Sequence, residues 1–503
     1  GASHHHTILF LALPLFAFLL VRHFKFVLSP FKFLGGIFFF LLGLTPYVYL
    51  WWAPAKSHIA SWGHIESWAN FTKHFFRQEY GTFQLAAGEH ESNFFVSLYK
   101  FAQAMWFQNW GLMALPFLAA LFVLALRSKK AEGKPFAAAL ALSFFFYVIV
   151  FHALANLDIE NRLYLDVQTR FWLLPYLLFC FLAVWGLHQL SAGSPRRVHR
   201  GLMVFLVGIL AFRVWQDLPA EKQASTDLYE RLGHAFVDTL PSDATILVRG
   251  DVYINSVRYV QFVEGYRTDI DFIPIDLMWW PWMKGKVAGM GYDFKMPGET
   301  YQLVSTKDDR TFDLVELVKA NPQKKIFVTK LNEPEEKLVE GSFEIQNFGF
   351  LGWIHNPALF IPPEIYQKWA KGFDNFKPPL LNDIRESSWE AFVYFNYWDR
   401  EYFRTHQLIS QAKERGFPSK ELKYLEPRFR NVFAGDTDPP ASVWKNAGMT
   451  YQFLADAGDL KLVPEMTKVW EGYLERVSED QDDEVPKIRQ LLKQLKERGL
   501  ASP

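Results

Sequence analysis

Basic and aromatic side chains are interleaved in residues 61–85, SWGHIESWANFTKHFFRQEYGTFQL. Lys73, His74 and Arg77 lie within one short part of this stretch. Arginine binds phosphate through two parallel hydrogen bonds, and lysine binds it as a point charge. The stretch is too polar to cross a bilayer, but it is rich in the rings that settle at a membrane surface. These residue types predict a site for the charged headgroup of a lipid substrate whose acyl chain stays in the bilayer.

A second pair of basic residues, Arg162 and Arg170, lies in NLDIENRLYLDVQTRFWLLP, next to Asp158, Glu160 and Asp166. Two arginines at the mouth of a membrane span are suited to clamping a phosphate or diphosphate. The alternative is that they anchor the chain at the interface or pair with the neighbouring acids. Both interpretations stay open at the level of the sequence.

Glu79 is the weak candidate for a catalytic acid or base, or for a metal ligand. It falls near the apolar side of its segment, where an unpaired carboxylate is costly. A structural role, as a helix cap or as a partner of Arg77, is the favoured interpretation.

The remaining motifs assign no cofactor. His4, His5 and His6 are consecutive and cannot share one helical face. His64, His74 and His90 lack metal-ligand spacing. Cys180 is the only cysteine, which excludes an intramolecular disulfide and a cysteine zinc site. No G-x-G-x-x-G, Walker or G-x-S-x-G motif is present. Gly250 and Asp251 lie between a predicted strand and helix, where a tight turn is favoured over a ligand site.

These side chains are positioned by a membrane domain, predicted over residues 1–216. Six apolar runs are nearly long enough to cross a hydrocarbon core of about 30 Å, at residues 7–21, 33–52, 111–126, 135–155, 171–190 and 201–215. Alternate connections such as RSKKAEGK and SPRRVHR are short and basic, so the positive-inside rule places them in the cytoplasm. The aromatic segment and everything after Trp215 then face outward.

The outward segment is predicted to form amphipathic helices at about residues 62–107, lying flat on the membrane. On a first helix, ending near Gly81, one side carries Ile65, Trp68, Ala69, Thr72, Phe75 and Phe76. The other side carries Glu66, Asn70, Lys73 and Arg77. A second pattern, NFFVSLYKFAQAMWF, aligns Phe94, Phe95, Leu98, Phe101, Ala102, Met105 and Trp106.

The second half of the chain has a soluble composition. Strand and helix patterns alternate from SDATILVRGD to KKIFVTKL, which predicts an α/β domain with a largely parallel sheet over residues 217–375. Residues 376–503 are predicted to be helical, with a tetratricopeptide-like helix pair but no clean repeat of about 34 residues. The chain has 53 basic and 53 acidic residues, so a nucleic-acid partner is excluded by the lack of a basic excess.

Several stretches resemble, in order and spacing, the transmembrane protein 260-like protein O-mannosyltransferase family. They are GASHHHTILFLALP, LGLTPYVYLWWAP, SWGHIESWANFTKHFFRQEYGTF, TRFWLLPYLLF and ILVRGDVYINSVRYVQFVEGYRTDIDFIPIDLM, within residues 1–282. The R-Q-E-Y-G-T-F part is the most specific. The resemblance implies a GT-C type glycosyltransferase, which moves a sugar, here expected to be mannose, from a polyprenyl-phosphate donor to a protein or peptide acceptor on the outer side of the membrane.

The resemblance also has implications for the site. The catalytic acid of such enzymes lies in a first outward loop, and we expect that loop to precede this chain, which would make the chain N-terminally truncated. It leaves Arg77, Arg162, Arg170, Lys73 and His74 as candidates for the donor phosphate. No cofactor is certain, although a divalent cation stays open. Membrane lipids are the other expected partner.

Two other functions remain as alternatives: a non-catalytic membrane-anchored scaffold, and a transporter of lipid-linked sugar. A transporter would need charged residues in mid-span, and Arg22 and His152, near span ends, are the closest. The lack of disulfides in an outward domain favours a bacterial inner membrane over the endoplasmic reticulum.

Overall fold

The computed structural model describes residues 7–27, 29–52, 65, 67–76, 78, 93–108, 111–125, 133–155, 157–160, 162–224, 226–304, 310–359, 361–384, 388–415, 420–435 and 439–500. The chain divides into two compact units, one comprising the described residues up to 224 and the other those from 226 onward. Each unit is described separately below. The chain as a whole is mostly helical, with a small sheet in the second unit.

The first unit is helical throughout its described elements. Its helices are α1 (Ile8–Arg22), α2 (Phe24–Val27), α3 (Pro30–Gly43), α4 (Tyr49–Trp52), α5 (Trp68–Phe75), α6 (Phe94–Gln108), α7 (Ala114–Ala125), α8 (Lys134–Leu154), α9 (Arg162–Thr169), α10 (Leu173–Leu190) and α11 (Arg196–Ala224). Short 3₁₀ turns occur at Thr45–Val48 and Arg170–Trp172.

Three of these helical segments have the length and apolar composition to cross a membrane: Lys134–Leu154, Tyr164–Leu190 and Arg196–Pro219. A fourth is obtained if Pro30–Gly43 and Thr45–Trp51, bent by 46°, count as one span. Helices α1 and α7 are apolar but shorter. The six predicted spans are therefore not confirmed, because two of the apolar runs form helices of 15 and 12 residues.

The core of the first unit is centred on α8. Its inward face carries small and aromatic side chains in helical register, among them Ala137, Ala141, Phe144, Tyr147 and Phe151. Small residues allow close helix packing where lipid gives no hydrophobic driving force. The apolar window of α11, in contrast, is not buried within the described protein, as expected of a helix that exposes its surface to lipid.

The second unit contains a five-stranded sheet of order β2-β1-β5-β7-β6. The strands are β1 (Thr245–Val248), β2 (Asp271–Pro274), β5 (Ile326–Val328), β6 (Glu344–Asn347) and β7 (Gly352–His355). β1 runs parallel to β2 and β5, and β7 is antiparallel to both β5 and β6. Strands β3 (Thr300–Tyr301) and β4 (Thr311–Phe312) form a separate parallel pair.

The parallel part of the sheet agrees with the predicted strand–helix alternation, but the β6–β7 hairpin was not predicted. Helices α12 (Leu228–Asp238), α13 (Asp251–Arg258), α14 (Trp282–Gly289), α15 (Leu314–Ala320) and α16 (Glu333–Glu340) accompany the strands. A π-helical turn, Tyr259–Val263, continues α13. Within residues 300–304, the described part of the predicted strand TYQLVST, strand β3 comprises Thr300–Tyr301 and pairs with the equally short β4.

Helices make up the rest of the second unit: α17 (Pro363–Trp369), α18 (Lys371–Asn375), α19 (Trp389–Arg415), α20 (Lys420–Ala434), α21 (Ala441–Asp456), α22 (Val463–Leu474) and α23 (Val485–Glu497). Helices α21 and α22 contact each other and correspond to the predicted helix pair. One continuous apolar core runs from Leu228 through the sheet to Leu492. The predicted boundary between residues 375 and 376 falls inside this unit and stays a proposal.

A buried network of charges connects α18 with the long helices. The Glu401 carboxylate accepts hydrogen bonds from Arg404 Nη2 at 2.9 Å and from Arg428 Nε at 3.0 Å. Arg404 Nη1 also pairs with Asp374 Oδ1 at 2.8 Å. Glu401 is 0% and Arg404 1% exposed at the side chain, so the network lies out of solvent. The guanidinium of Arg404 lies over the ring of Phe373, 4.9 Å from its centroid.

Lys286, in α14, is 1% exposed, and a change of pH can test how much the burial of its charge destabilises the fold. Burial, together with repulsion from Arg258, lowers the pKa of Lys286 to about 8. The pKa of a lysine in the unfolded chain is about 10.4, so unfolding takes up a proton between about pH 8 and 10. Below pH 8 the lysine is charged in both states, and the folded state then bears the whole free-energy cost of burying that charge. Lys286→Met is expected to raise the free energy of unfolding by about 2–3 kcal/mol at pH 7.

The gain should shrink as the pH rises toward about 10, where the lysine loses its charge in both states. Urea titrations of the two proteins at neutral and alkaline pH measure this difference. Lys284→Met, at an exposed position of the same helix, is the matched control and should change little. If Lys286→Met raised the free energy of unfolding equally at both pH values, the buried charge of Lys286 would not be the cause of the difference.

Candidate functional site

The 3₁₀ turn Arg170–Trp172 is held against α8 by two contacts. The Tyr147 hydroxyl donates a hydrogen bond to the carbonyl oxygen of Phe171 at 2.9 Å. The rings of Phe151 and Phe171 lie 5.5 Å apart between centroids. Tyr147 and Phe151 are one helical turn apart, so a single face of α8 fixes the backbone of this turn.

The three side chains of this turn point in different directions, because successive residues of a 3₁₀ helix are rotated by about a third of a turn. Phe171 contacts α8, Trp172 is buried, and Arg170 is exposed. The Arg170 guanidinium therefore projects from a fixed backbone, which is a favourable arrangement for binding an anion.

Four buried polar side chains, called here the buried polar cluster, come from this turn and the helices near it: Ser97 of α6, His152 of α8, Gln168 of α9 and Trp172. Gln168 Nε2 donates a hydrogen bond to Ser97 Oγ. His152 Nδ1 is 2.7 Å from the carbonyl oxygen of Val148. Because a carbonyl only accepts, this contact places the imidazole proton on Nδ1 and leaves Nε2 as an acceptor.

Three polar atoms of this cluster lack hydrogen-bond partners in the described protein: His152 Nε2, Gln168 Oε1 and Trp172 Nε1. Leaving a buried donor or acceptor unpaired costs about 1–3 kcal/mol. Two of the atoms accept and the third donates, and ordered water is a common partner of such buried atoms.

The ring of Phe101 packs against two members of the cluster, His152 and Trp172. The centroid of the Phe101 ring lies 5.3 Å from that of His152 and 5.5 Å from that of Trp172. Helix α6 therefore packs its Phe101 face against α8, with Met105 buried on the same side. Of the predicted apolar side, Phe95 and Trp106 are exposed, whereas Phe101 and Met105 are buried; Ser97, outside that side, is buried too.

Helix α5 carries two of the predicted phosphate-binding residues, Lys73 and His74, in its last turn. Ser67 begins the helix by accepting a hydrogen bond from the backbone N–H of Asn70 at 3.1 Å. The helix ends at Phe75, earlier than the predicted end near Gly81. Lys73 is exposed and His74 half-buried, so both lie at the surface of the first unit.

The aromatic side of α5 packs on the segment that follows α3. The ring of Phe75 lies 4.8 Å from that of Tyr47, and the ring of Phe71 lies 5.7 Å from that of Trp51. Phe71 was not on the predicted apolar side, whereas Trp68 was and contacts Trp51 at 5.1 Å. The packed face is thus rotated slightly from the predicted one.

The structure places the other predicted site residues as follows. Arg170 is in the 3₁₀ turn, an element separate from α5 with its Lys73 and His74. Arg162 begins α9, where only its backbone is described. Arg77 and Glu79 lie outside the described residues. Of the candidates, the structure brings together Lys73 and His74 on one helix turn.

The buried cluster was missed because its members come from distant parts of the chain. Ser97 and Gln168 are 71 residues apart. The one signal in the sequence was His152, a titratable residue inside an apolar run, which is a functional hypothesis by default in a membrane segment.

The carboxyl end of β1 is filled by the protein's own side chains. Arg249 donates to Asp276 Oδ1 at 3.1 Å and to Glu335 Oε1 at 2.8 Å, and Tyr301 also bonds to Glu335. Burial favours the neutral acid, but Arg249 and Tyr301 outweigh it and hold the pKa of Glu335 below its usual range. Gly250 has a φ of 89°, which agrees with the predicted tight turn.

The comparisons with known proteins point to one family. The chain is 27% identical over 403 residues to the protein named Protein O-mannosyl-transferase TMEM260 from Mus musculus, covering 76% of this chain and 55% of that protein. It is 27% identical over 325 residues to the protein of the same name from Dictyostelium discoideum, covering 60% of this chain and 39% of the relative. These similarities confirm the resemblance to the transmembrane protein 260-like family.

The chain spans about half the length of the mouse relative and less of the one from Dictyostelium. No protein-family profile matches the chain, and no solved structure matches it.

Proposed function

We propose that this chain, a relative of the transmembrane protein 260-like O-mannosyltransferases, acts in glycosyl transfer at a membrane. The sugar is mannose, the donor is a polyprenyl phosphate, and the acceptor is a protein or peptide on the extracytoplasmic side. The observation that carries the proposal is the similarity over 403 residues to a protein named as an O-mannosyl-transferase. The helices long and apolar enough to cross a membrane support a lipid-linked donor.

In the proposed reaction, the bond between the anomeric carbon and the phosphate oxygen breaks, and the acceptor oxygen forms the new bond. The polyprenyl phosphate leaves with the electron pair, and the acceptor hydroxyl loses its proton to a general base. The negative charge that develops on the leaving phosphate is where a preorganised cation contributes most. We assign no base among the described residues.

We assign the donor phosphate to Arg170. Its guanidinium is exposed while Tyr147 and Phe151 fix the backbone beneath it, so an anion can bind without ordering the backbone. Arg162, at the start of α9, precedes Arg170 by two helical turns. The further candidates for binding the donor phosphate are Arg77, Lys73 and His74.

A transporter is less well supported. The described parts of α8 and α10 carry no Asp, Glu, Lys or Arg beyond Lys134 at the start of α8. Charged groups at mid-membrane are the usual mark of an ion or substrate pathway. The scaffold alternative is tested together with the enzyme below.

The test uses the natural full-length protein, purified in detergent and supplied with radiolabelled polyprenyl-phosphate mannose or glucose and a peptide acceptor. Arg170→Ala is expected to lower transfer by roughly tenfold or more, because a charged contact to the leaving phosphate is lost. Arg170→Lys should recover part of the loss, since lysine keeps the charge but not the paired hydrogen bonds.

Arg200→Ala, at an exposed position near the start of α11, is the matched control and should transfer as the parent does. Equal activity of Arg170→Ala and the parent would refute the assignment of Arg170. Absence of both donor binding and transfer in the parent would favour the scaffold.

A further inference from the structure

Three potential metal ligands converge on the surface of the second unit, where the glycosyl-transfer proposal assigns no role. Glu230 and His234 are four residues apart on α12 and therefore share one face. Glu264 follows the π-helical turn. His234 Nε2 lies 2.8 Å from Glu264 Oε2, and one ligand atom from each of the three residues lies within 4.8 Å of the other two.

The fold brings these residues together through a close helix contact. A Cβ on Gly233, next to His234, would lie 2.4 Å from the carbonyl oxygen of Ser256 and 2.7 Å from Val260 Cγ2. Glycine thus lets α12 approach α13 and the π-helical turn. The extra residue in a π-helical turn shifts the direction of the side chains that follow it, and such turns concentrate at functional sites.

The set of ligands suits a transition metal rather than calcium or magnesium. Two carboxylates balance the charge of a divalent cation, and an imidazole nitrogen favours zinc and its neighbours over the cations that prefer all-oxygen sites. Ligand atoms in a tetrahedral zinc site lie about 3.3 Å apart, given bonds of about 2.0 Å. His234 Nε2 and Glu264 Oε2 are 2.8 Å apart and all three ligand atoms lie within 4.8 Å of one another, limits that include this value.

Solvent can reach the site. The side chains of His234 and Glu264 are 33% and 25% exposed, and Glu230 is exposed. The Tyr266 ring lies 5.0 Å from the His234 ring and covers one side of it. Three protein ligands with an open side leave room for a water in the fourth position.

We propose that Glu230, His234 and Glu264 bind a zinc ion. The proposal is independent of glycosyl transfer, since neither the family similarity nor Arg170 enters it. The competing explanation is that His234 and Glu264 form a surface ion pair only.

The test is calorimetric titration of Zn²⁺ into the full chain in detergent, after removal of metals with a chelator. To remove any contribution from His4, His5 and His6, each protein carries alanine at these positions. We expect one saturable site per chain. Glu230→Gln and His234→Ala should each weaken it roughly tenfold or more, whereas His406→Ala, at an exposed position of α19, should leave it unchanged.

Glu230→Gln preserves size and removes only an exposed charge, so its zinc-free melting temperature should match that of the parent. Zinc should then raise the melting temperature of the parent more than that of Glu230→Gln. Absence of a saturable site, or equal affinity in the parent and in both variants, would overturn the proposal and leave the ion pair.

Discussion

Glu401→Gln is expected to lower the free energy of unfolding of the second unit by about 3–5 kcal/mol, the usual cost of breaking a buried ion pair. The Glu401 carboxylate is fully buried between Arg404 and Arg428. Glutamine keeps the shape of the side chain but removes its charge. The two guanidinium groups would then share Asp374 as their remaining anionic partner among the described residues.

Urea denaturation followed by tryptophan fluorescence measures this loss, since Trp398 lies on the same helix. Glu414→Gln, at an exposed position of α19, is the matched control and should change the free energy by less than about 0.5 kcal/mol. A loss of under about 1 kcal/mol in Glu401→Gln would mean that water reaches the two arginines after the substitution.

Gly349→Ala is expected to destabilise the second unit by about 3 kcal/mol or more, for two separate reasons. The backbone at this position has a φ of 111°, which costs an alanine about 1–3 kcal/mol. The new Cβ would also lie 2.1 Å from Cγ of Phe373, so the ring must move. Overpacking of this kind costs about 1–3 kcal/mol in addition.

Displacing Phe373 has further effects, because its ring stacks on Tyr397 at 4.7 Å and lies under Arg404. Gly285→Ala is the control: no atom lies within 4 Å of its added Cβ, and its helical backbone should gain about 0.5–1 kcal/mol. Thermal and urea unfolding of both variants give the comparison. An unchanged stability in Gly349→Ala would show that the β6–β7 turn can rotate away from Phe373.

Local sequence patterns predicted the strands whose own residues form a short apolar run. The strands TILV, DFIP and IFV are short apolar runs between turn residues, and all three form the parallel part of the sheet. The β6 strand, EIQN, is polar and half-buried, so its sequence lacks the apolar signal. Its pairing with β7 depends on a turn and on contacts with α19, which a local pattern does not show.

Part of the candidate site was likewise predicted from the sequence, and part was not. Arg170 was predicted from residue type and its place beside an apolar run, and the structure adds how Tyr147 and Phe151 fix it. The hydrogen bond between Gln168 and Ser97 was not predicted, because the two residues meet only when α6 and α9 pack. Likewise, Glu264 comes next to His234 through the packing of α12 on the π-helical turn.

The charge network of Asp374, Glu401, Arg404 and Arg428 also affects how the protein is made. A ribosome releases residues in order, so the nascent chain presents Asp374 long before Arg428. Until α20 has emerged, the carboxylates and Arg404 have no complete set of partners, and burying them is unfavourable. We therefore expect the packing of α18 against α19 and α20 to be completed only after α20 has been synthesised. A premature stop codon between residues 375 and 428 would release a chain that proteases and chaperones treat as unfolded.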